Sequence, residues 1–142
     1  MALVAGSIFV VLTVTALLHI VWAFGVTWPA KDEQALVNAV LGVERASRMP
    51  SRGLTLVVAG GMIAAAIIAL WGARVVSLPL PGWICIMGLA TLTAIFLLRG
   101  IVTYLPVPMP VVQPFYRLNQ IYYSPLILAI GVGYLVLLIM RL

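Results

Sequence analysis

Four long apolar stretches, separated by three connections of unequal length, make up almost the whole chain. They run from about Leu3 to Phe24, Leu54 to Ala73, Trp83 to Tyr104 and Ser124 to Met140. Each approaches the ~20 residues a helix needs to cross the hydrocarbon of a bilayer. In lipid only a helix satisfies its own backbone over that length, so the pattern predicts an all-α fold. The expected architecture is a membrane-embedded four-helix bundle forming one transmembrane domain over residues 1–142. No Lys or Arg precedes the first stretch, which is also longer than the ~7–15 residues of a secretory signal's apolar region; it reads as a retained span.

The connections carry most of the local punctuation. Gly25–Gly53 is long and polar, Gly72–Gly82 is short and holds Pro79 and Pro81, and Leu105–Tyr123 is proline-rich. Within the first, Lys31–Arg48 has helical character, with Leu36, Val37, Val40 and Leu41 able to share a face. Asp32 and Glu33 at its start and Arg45 and Arg48 near its end complement a helix dipole. This amphipathic segment is expected to lie on the bilayer surface or cap the bundle. Ser124-Pro125 suits an N-cap followed by proline in the first helical turn. The alternative is one longer helix from about Phe115, kinked at Pro125. Small residues recur every fourth position at Gly61, Ala65, Ala69 and Ala73, and again at Ala129 and Gly133, making smooth faces for helix approach. Such a face serves packing within the chain or, alternatively, an interface with a second copy or partner protein.

Composition narrows the class. Of 142 residues, 65% are hydrophobic and 8% charged, against about 25% charged in an ordinary soluble domain. A soluble fold this small lacks the interior to hide that much apolar surface, so a soluble enzyme and a disordered tail are excluded. The net charge of +5 is spread thinly, without the basic stripe of a nucleic-acid-binding protein. Cys85 is the single cysteine and lies in an apolar run, where it reads as a small packed hydrophobe. Lys31, Arg45, Arg48, Arg52, Arg99 and Arg117 fall towards the side of the two longer connections, and only Arg74 and Arg141 towards the side of the termini. The positive-inside rule then places the long connections in the cytoplasm and both termini outside.

Polar chemistry converges on the end with the long connections. All three acids, Asp32, Glu33 and Glu44, occur in the first of them. The only histidine, His19, sits five residues before Phe24, and Arg99 lies inside the third apolar run. Ionisable groups within spans usually face the bundle interior and mark functional sites. His19 is thus a ligand-contact candidate, or a neutral imidazole bonded to a backbone carbonyl or tyrosine. Metal or haem ligation has little support, since there is no second histidine and no clustered ligand set; no metal is assigned and no cofactor is named. Arg99 snorkels to phosphate head groups, or pairs with an acid folded back over the bundle, Glu44 being the expected lid or ion-pair partner. Trp28, Trp71, Trp83, Tyr104 and Tyr116 read as interfacial aromatics, but Tyr122-Tyr123 is denser than a belt requires. The expected ligand-binding set is His19, Trp22, Arg99, Tyr122 and Tyr123. No catalytic residues are assigned, for the chain lacks a nucleophile elbow, a phosphate-cradling glycine loop and paired carboxylates within a span.

These residues also form a series. His19-Ile20-Val21-Trp22-Ala23-Phe24-Gly25 with Trp28, Leu98-Arg99-Gly100, Pro114-Phe115-Tyr116-Arg117-Leu118-Asn119 and Tyr122-Tyr123-Ser124-Pro125-Leu126 together resemble a family of small bacterial four-span membrane proteins catalogued as a domain of unknown function. The likeness covers nearly the whole chain. It implies a bacterial cell-membrane location and a four-span fold, and an often acidic residue at the position of Asn119, whose replacement here removes a charged partner for Arg99 or Arg117. Expected partners are the bilayer, a hydrophobic small molecule, and a second copy or larger membrane complex; nucleic acid is not among them. Two functional classes follow from the one-sided polar cluster. The first is a non-enzymatic binder of a lipid-soluble small molecule, or an accessory subunit. The second is a membrane enzyme doing acid/base chemistry on a polyprenoid, sterol-like or quinone substrate, with His19 as acid/base.

Overall fold

A computed structural model describes residues 1–43, 46, 48–106 and 111–142. Its elements in chain order are α1 (Ala2–Ala23), α2 (Glu33–Val40), α3 (Arg52–Gly72), α4 (Gly82–Val102), α5 (Phe115–Leu118), a π-helical turn (Asn119–Tyr123) and α6 (Ser124–Ile139). The last three run on as one helix, Phe115–Ile139. Among the described residues it joins α1, α3 and α4 as the four helices long and apolar enough to cross a membrane. Large apolar side chains such as Leu3, Val57, Trp83, Met87, Leu98 and Ile139 point outwards. This is the surface of a multi-pass membrane protein.

The final helix takes the longer of its two expected forms. Ser124 is not an N-cap: its φ of −68° and ψ of −40° are helical, and its N–H donates five residues back to Asn119. Pro125 has no N–H to offer the carbonyl four residues earlier, and its ring crowds that carbonyl. The wider π turn immediately before it absorbs the mismatch, so the helix continues.

Helix pairing follows small residues. α1 packs along α3 and α4 along α6, while narrower α3–α4 and α1–α6 contacts join the two pairs. Hydrocarbon gives no hydrophobic gain from putting two helices together, so close approach has to supply the attraction. Ala65 and Ala69 of the α3 seam are buried in the core with Ala5, Ile8 and Leu12 of α1. On α6 the pattern differs from the spacing of Ala129 and Gly133, since Ala129 is exposed. Instead Gly131 admits Leu97 of α4, whose backbone nitrogen would lie 3.0 Å from an added Cβ. Tyr134, fully buried, crosses the bundle to donate its hydroxyl to the Ala65 carbonyl at 2.8 Å, and its ring stacks on Phe96.

α2 caps one end. Asp32 is its N-cap, accepting the Ala35 N–H at 2.7 Å, and Leu36 and Val37 are buried beneath it. The helix is shorter than Lys31–Arg48, because Gly42 leaves it with a φ of +63° and the Phe115 ring occupies the space a side chain there would need. Arg48 lies beyond the helix, and Arg45 lies outside the described residues. Val43 bridges to Val111, the Val112 N–H donates to the Gly42 carbonyl at 2.9 Å, and Tyr123 donates to the Ala39 carbonyl at 3.1 Å. The two long connections are thereby tied to each other and to the start of the last helix.

Candidate functional site

Two polar groups occupy the capped end. The first is built on the last turns of α1. His19 and Trp22, three residues apart, share a helix face with ring centres 5.0 Å apart. His19 Nδ1 lies 2.8 Å from the Thr15 carbonyl oxygen. A carbonyl only accepts, so Nδ1 carries the hydrogen, and in the neutral ring Nε2 holds the free lone pair. Trp22 donates its indole N–H to the Trp28 carbonyl at 2.8 Å, folding the chain back after the left-handed Gly25 (φ +86°). Under this fold-back lies a cleft of about 100 Å³ lined by Trp22, Val26, Thr27, Glu33, Leu36 and Met49. Glu33 closes its rim by accepting the Met49 N–H at 3.1 Å. Arg52 supports the same corner, donating to the Ala23 carbonyl at 3.2 Å and lying 4.4 Å over the Phe24 ring.

The second group joins α4 to the π turn. Arg99 Nη1 donates to Thr103 Oγ1 at 3.0 Å and Nη2 to Asn119 Oδ1 at 3.2 Å, while Asn119 Nδ2 donates to Thr103 Oγ1 at 3.1 Å. Ser124 Oγ is 2.7 Å from Thr103 Oγ1 and 3.2 Å from Asn119 Oδ1. Counting lone pairs orients every hydroxyl. The two acceptor sites of Thr103 are filled by Arg99 and Asn119, so its own hydrogen goes to Ser124, and Ser124 donates to Asn119 Oδ1. The circuit is closed, and it spans the turn that Pro125 forces on the helix. Such a network fixes geometry.

The expected ligand set is therefore divided. Trp22 lines the cleft and His19 does not, touching only the Trp22 ring of its lining; Arg99 belongs to the second group; Tyr123 anchors α2; Tyr122 points outwards, 63% exposed. Of the acids expected to face Arg99, Asp32 caps α2 and Glu33 takes Met49. Glu44 lies outside the described residues. An amide, Asn119, holds Arg99 where the family resemblance implied a carboxylate. Sequence reasoning passed over Thr103 and Ser124 as network members, although both are hydroxyl residues at the end where Arg99 and Asn119 were already placed. It also passed over the opposite end, where a second cleft of about 320 Å³ lies between Trp71, Arg74, Val76, Ser77 and Arg141. Among the described residues no group of three His, Cys, Asp or Glu side chains is placed to share a metal ion.

No curated protein and no solved structure matches the chain. A family model described as "Protein of unknown function (DUF3995)" matches residues 12–134, a stretch that takes in His19, Trp22, Arg99, Thr103, Asn119 and Ser124. The chain, with its four apolar helices, belongs to that family.

Proposed function

We propose that this membrane protein is a non-enzymatic binder that takes the polar head of a lipid-soluble small molecule into the cleft beneath α2. The observation that carries the reading is His19 packed against Trp22 of the cleft wall, its Nδ1 committed to Thr15 and its Nε2 without a partner among the described residues. In its neutral form an imidazole so fixed accepts a hydroxyl or amide hydrogen. At about 100 Å³ the cleft is well below the ~300–1,000 Å³ of a site that swallows a whole drug-sized ligand. It fits a head group, with an apolar tail running along outward-facing side chains such as Val21 and Val14. Acid/base catalysis by His19 and Arg99 on one substrate has less support, because Arg99 is engaged by Thr103 and Asn119. The binder sits in a bacterial cell membrane with the α2 end cytoplasmic, the orientation favoured by the bias of Lys and Arg.

Native mass spectrometry of the chain released from mild detergent tests the reading. Wild type is expected to retain a small-molecule adduct that Thr27→Trp, which fills the cleft, removes and that His19→Phe weakens. Adducts of a second protein in place of a small molecule would favour an accessory subunit. A wild-type protein that flies bare, or adducts indifferent to both substitutions, would overturn the proposal.

A further inference from the structure

The opposite end of the bundle carries an arginine in an unusual place. α3 ends in a Schellman turn: the Val75 N–H reaches the Leu70 carbonyl at 2.9 Å and the Arg74 N–H the Trp71 carbonyl at 3.0 Å. The left-handed residue of such a turn is usually glycine, whose lack of a Cβ removes the steric cost. Here it is Arg74, with a φ of 60°, the single non-glycine residue of positive φ among those described. Strained backbone at a charged residue that lines a cavity is a pointer to function.

That turn aims Arg74 at the cleft of about 320 Å³, which Arg141 from the end of α6, Ser77 and Trp71 also line. Two guanidinium groups and a hydroxyl thus meet around one space. The two acids with a described position, Asp32 and Glu33, belong to the connection at the other end, so among the described residues no side-chain carboxylate competes for these arginines. Arginine forks match the oxygens of a phosphate with paired, charge-assisted hydrogen bonds. The volume sits at the small end of the ~300–1,000 Å³ range of ligand pockets. A membrane surface also presents phosphate to every span end.

We propose that Arg74 and Arg141 form a phosphate-binding cleft, supplied either by the head group of an anionic phospholipid or by a free phosphate. Arg74 and Arg141 carry the charge recognition, Ser77 donates to a third oxygen, and Trp71, buried in the bundle core, forms the apolar wall on the inner side.

The test compares the full-length chain with Arg74→Ala, Arg141→Gln and the double variant, and with Arg117→Gln at the far end as a charge-matched control. Dioleoylphosphatidylglycerol is titrated into detergent-solubilised protein and adducts are counted by native mass spectrometry; inorganic phosphate is titrated separately and followed by thermal stabilisation. A lipid site predicts phosphatidylglycerol retention reduced at least tenfold in the double variant and unchanged in Arg117→Gln, with little response to phosphate. A free-phosphate site predicts stabilisation by millimolar phosphate that the double variant loses. Arg74→Gly guards against misfolding, since it keeps the turn while removing the charge, and it should bind as weakly as Arg74→Ala. Equal losses in the control and the double variant, or no loss in either ligand arm, would overturn the proposal.

Discussion

Replacing Arg74 by glycine should make the empty protein more stable, although a charge and a long side chain are lost. A non-glycine residue in the left-handed region costs about 1–2 kcal/mol through the clash of its Cβ with the neighbouring carbonyl. Glycine removes that clash but loosens the unfolded chain, giving back about 0.4–1 kcal/mol. The difference spans about 0 to 1.6 kcal/mol, centred near a net gain of about 0.8 kcal/mol, or about fourfold in the folding equilibrium. Alanine keeps the Cβ, so Arg74→Ala should gain none of this. Nothing near Arg74 in the Schellman turn depends on its side chain: the two closing bonds are made by the backbones of Arg74 and Val75. Reversible unfolding in a neutral, phosphate-free detergent, followed by loss of helical circular dichroism, measures the series. The order expected is glycine above wild type and alanine. Anionic lipid at a hundredfold excess over its dissociation constant would add about 2.7 kcal/mol to a protein with an intact cleft. Wild type should then overtake the glycine variant. If Arg74→Gly is no more stable than Arg74→Ala in the neutral detergent, the strain argument is wrong.

At the capped end, Asn119→Leu leaves Arg99 Nη2 and the Ser124 hydroxyl without their acceptor and takes a donor from Thr103. Each stranded group costs about 1–3 kcal/mol when buried, and the exposed guanidinium recovers part of its share from water, so a loss of about 2 kcal/mol is expected in the same unfolding assay. Asn119→Asp, which keeps both acceptor contacts and adds a charge opposite Arg99, should be milder. Gly42→Ala meets both the φ of +63° and the Phe115 ring; α2 should loosen, seen as faster protease cleavage between residues 43 and 51 with the four long helices intact.

Why the helices were legible and their partners were not has a single physical cause. The bilayer sets helix length, so an uninterrupted apolar run announces a span whatever it packs against. In water the polar face of a helix also reveals which side turns inwards. In lipid that marker is gone, because buried Leu89 and outward-facing Leu98 on α4 have the same chemistry. Rotation about the helix axis is then set by where small residues allow approach. A repeated set such as Ala65 and Ala69 shows in the spacing, whereas the lone Gly131 against Leu97 does not. The candidate site inherits this asymmetry. That Trp22, His19, Arg99 and Asn119 gather at one end follows from their positions along the spans. That Arg99 meets Asn119, and that Tyr123 turns to α2 while Tyr122 faces out, depends on rotation and on a π turn which Ser124-Pro125 disguises as a helix start. Arg74 and Arg141 were harder still. They stand at the ends of different helices, far apart in the chain, and only the left-handed turn after α3 brings the first into the cleft lined by the second. A charged residue where a helix stop calls for glycine is the local sign to look for at span ends that otherwise read as featureless.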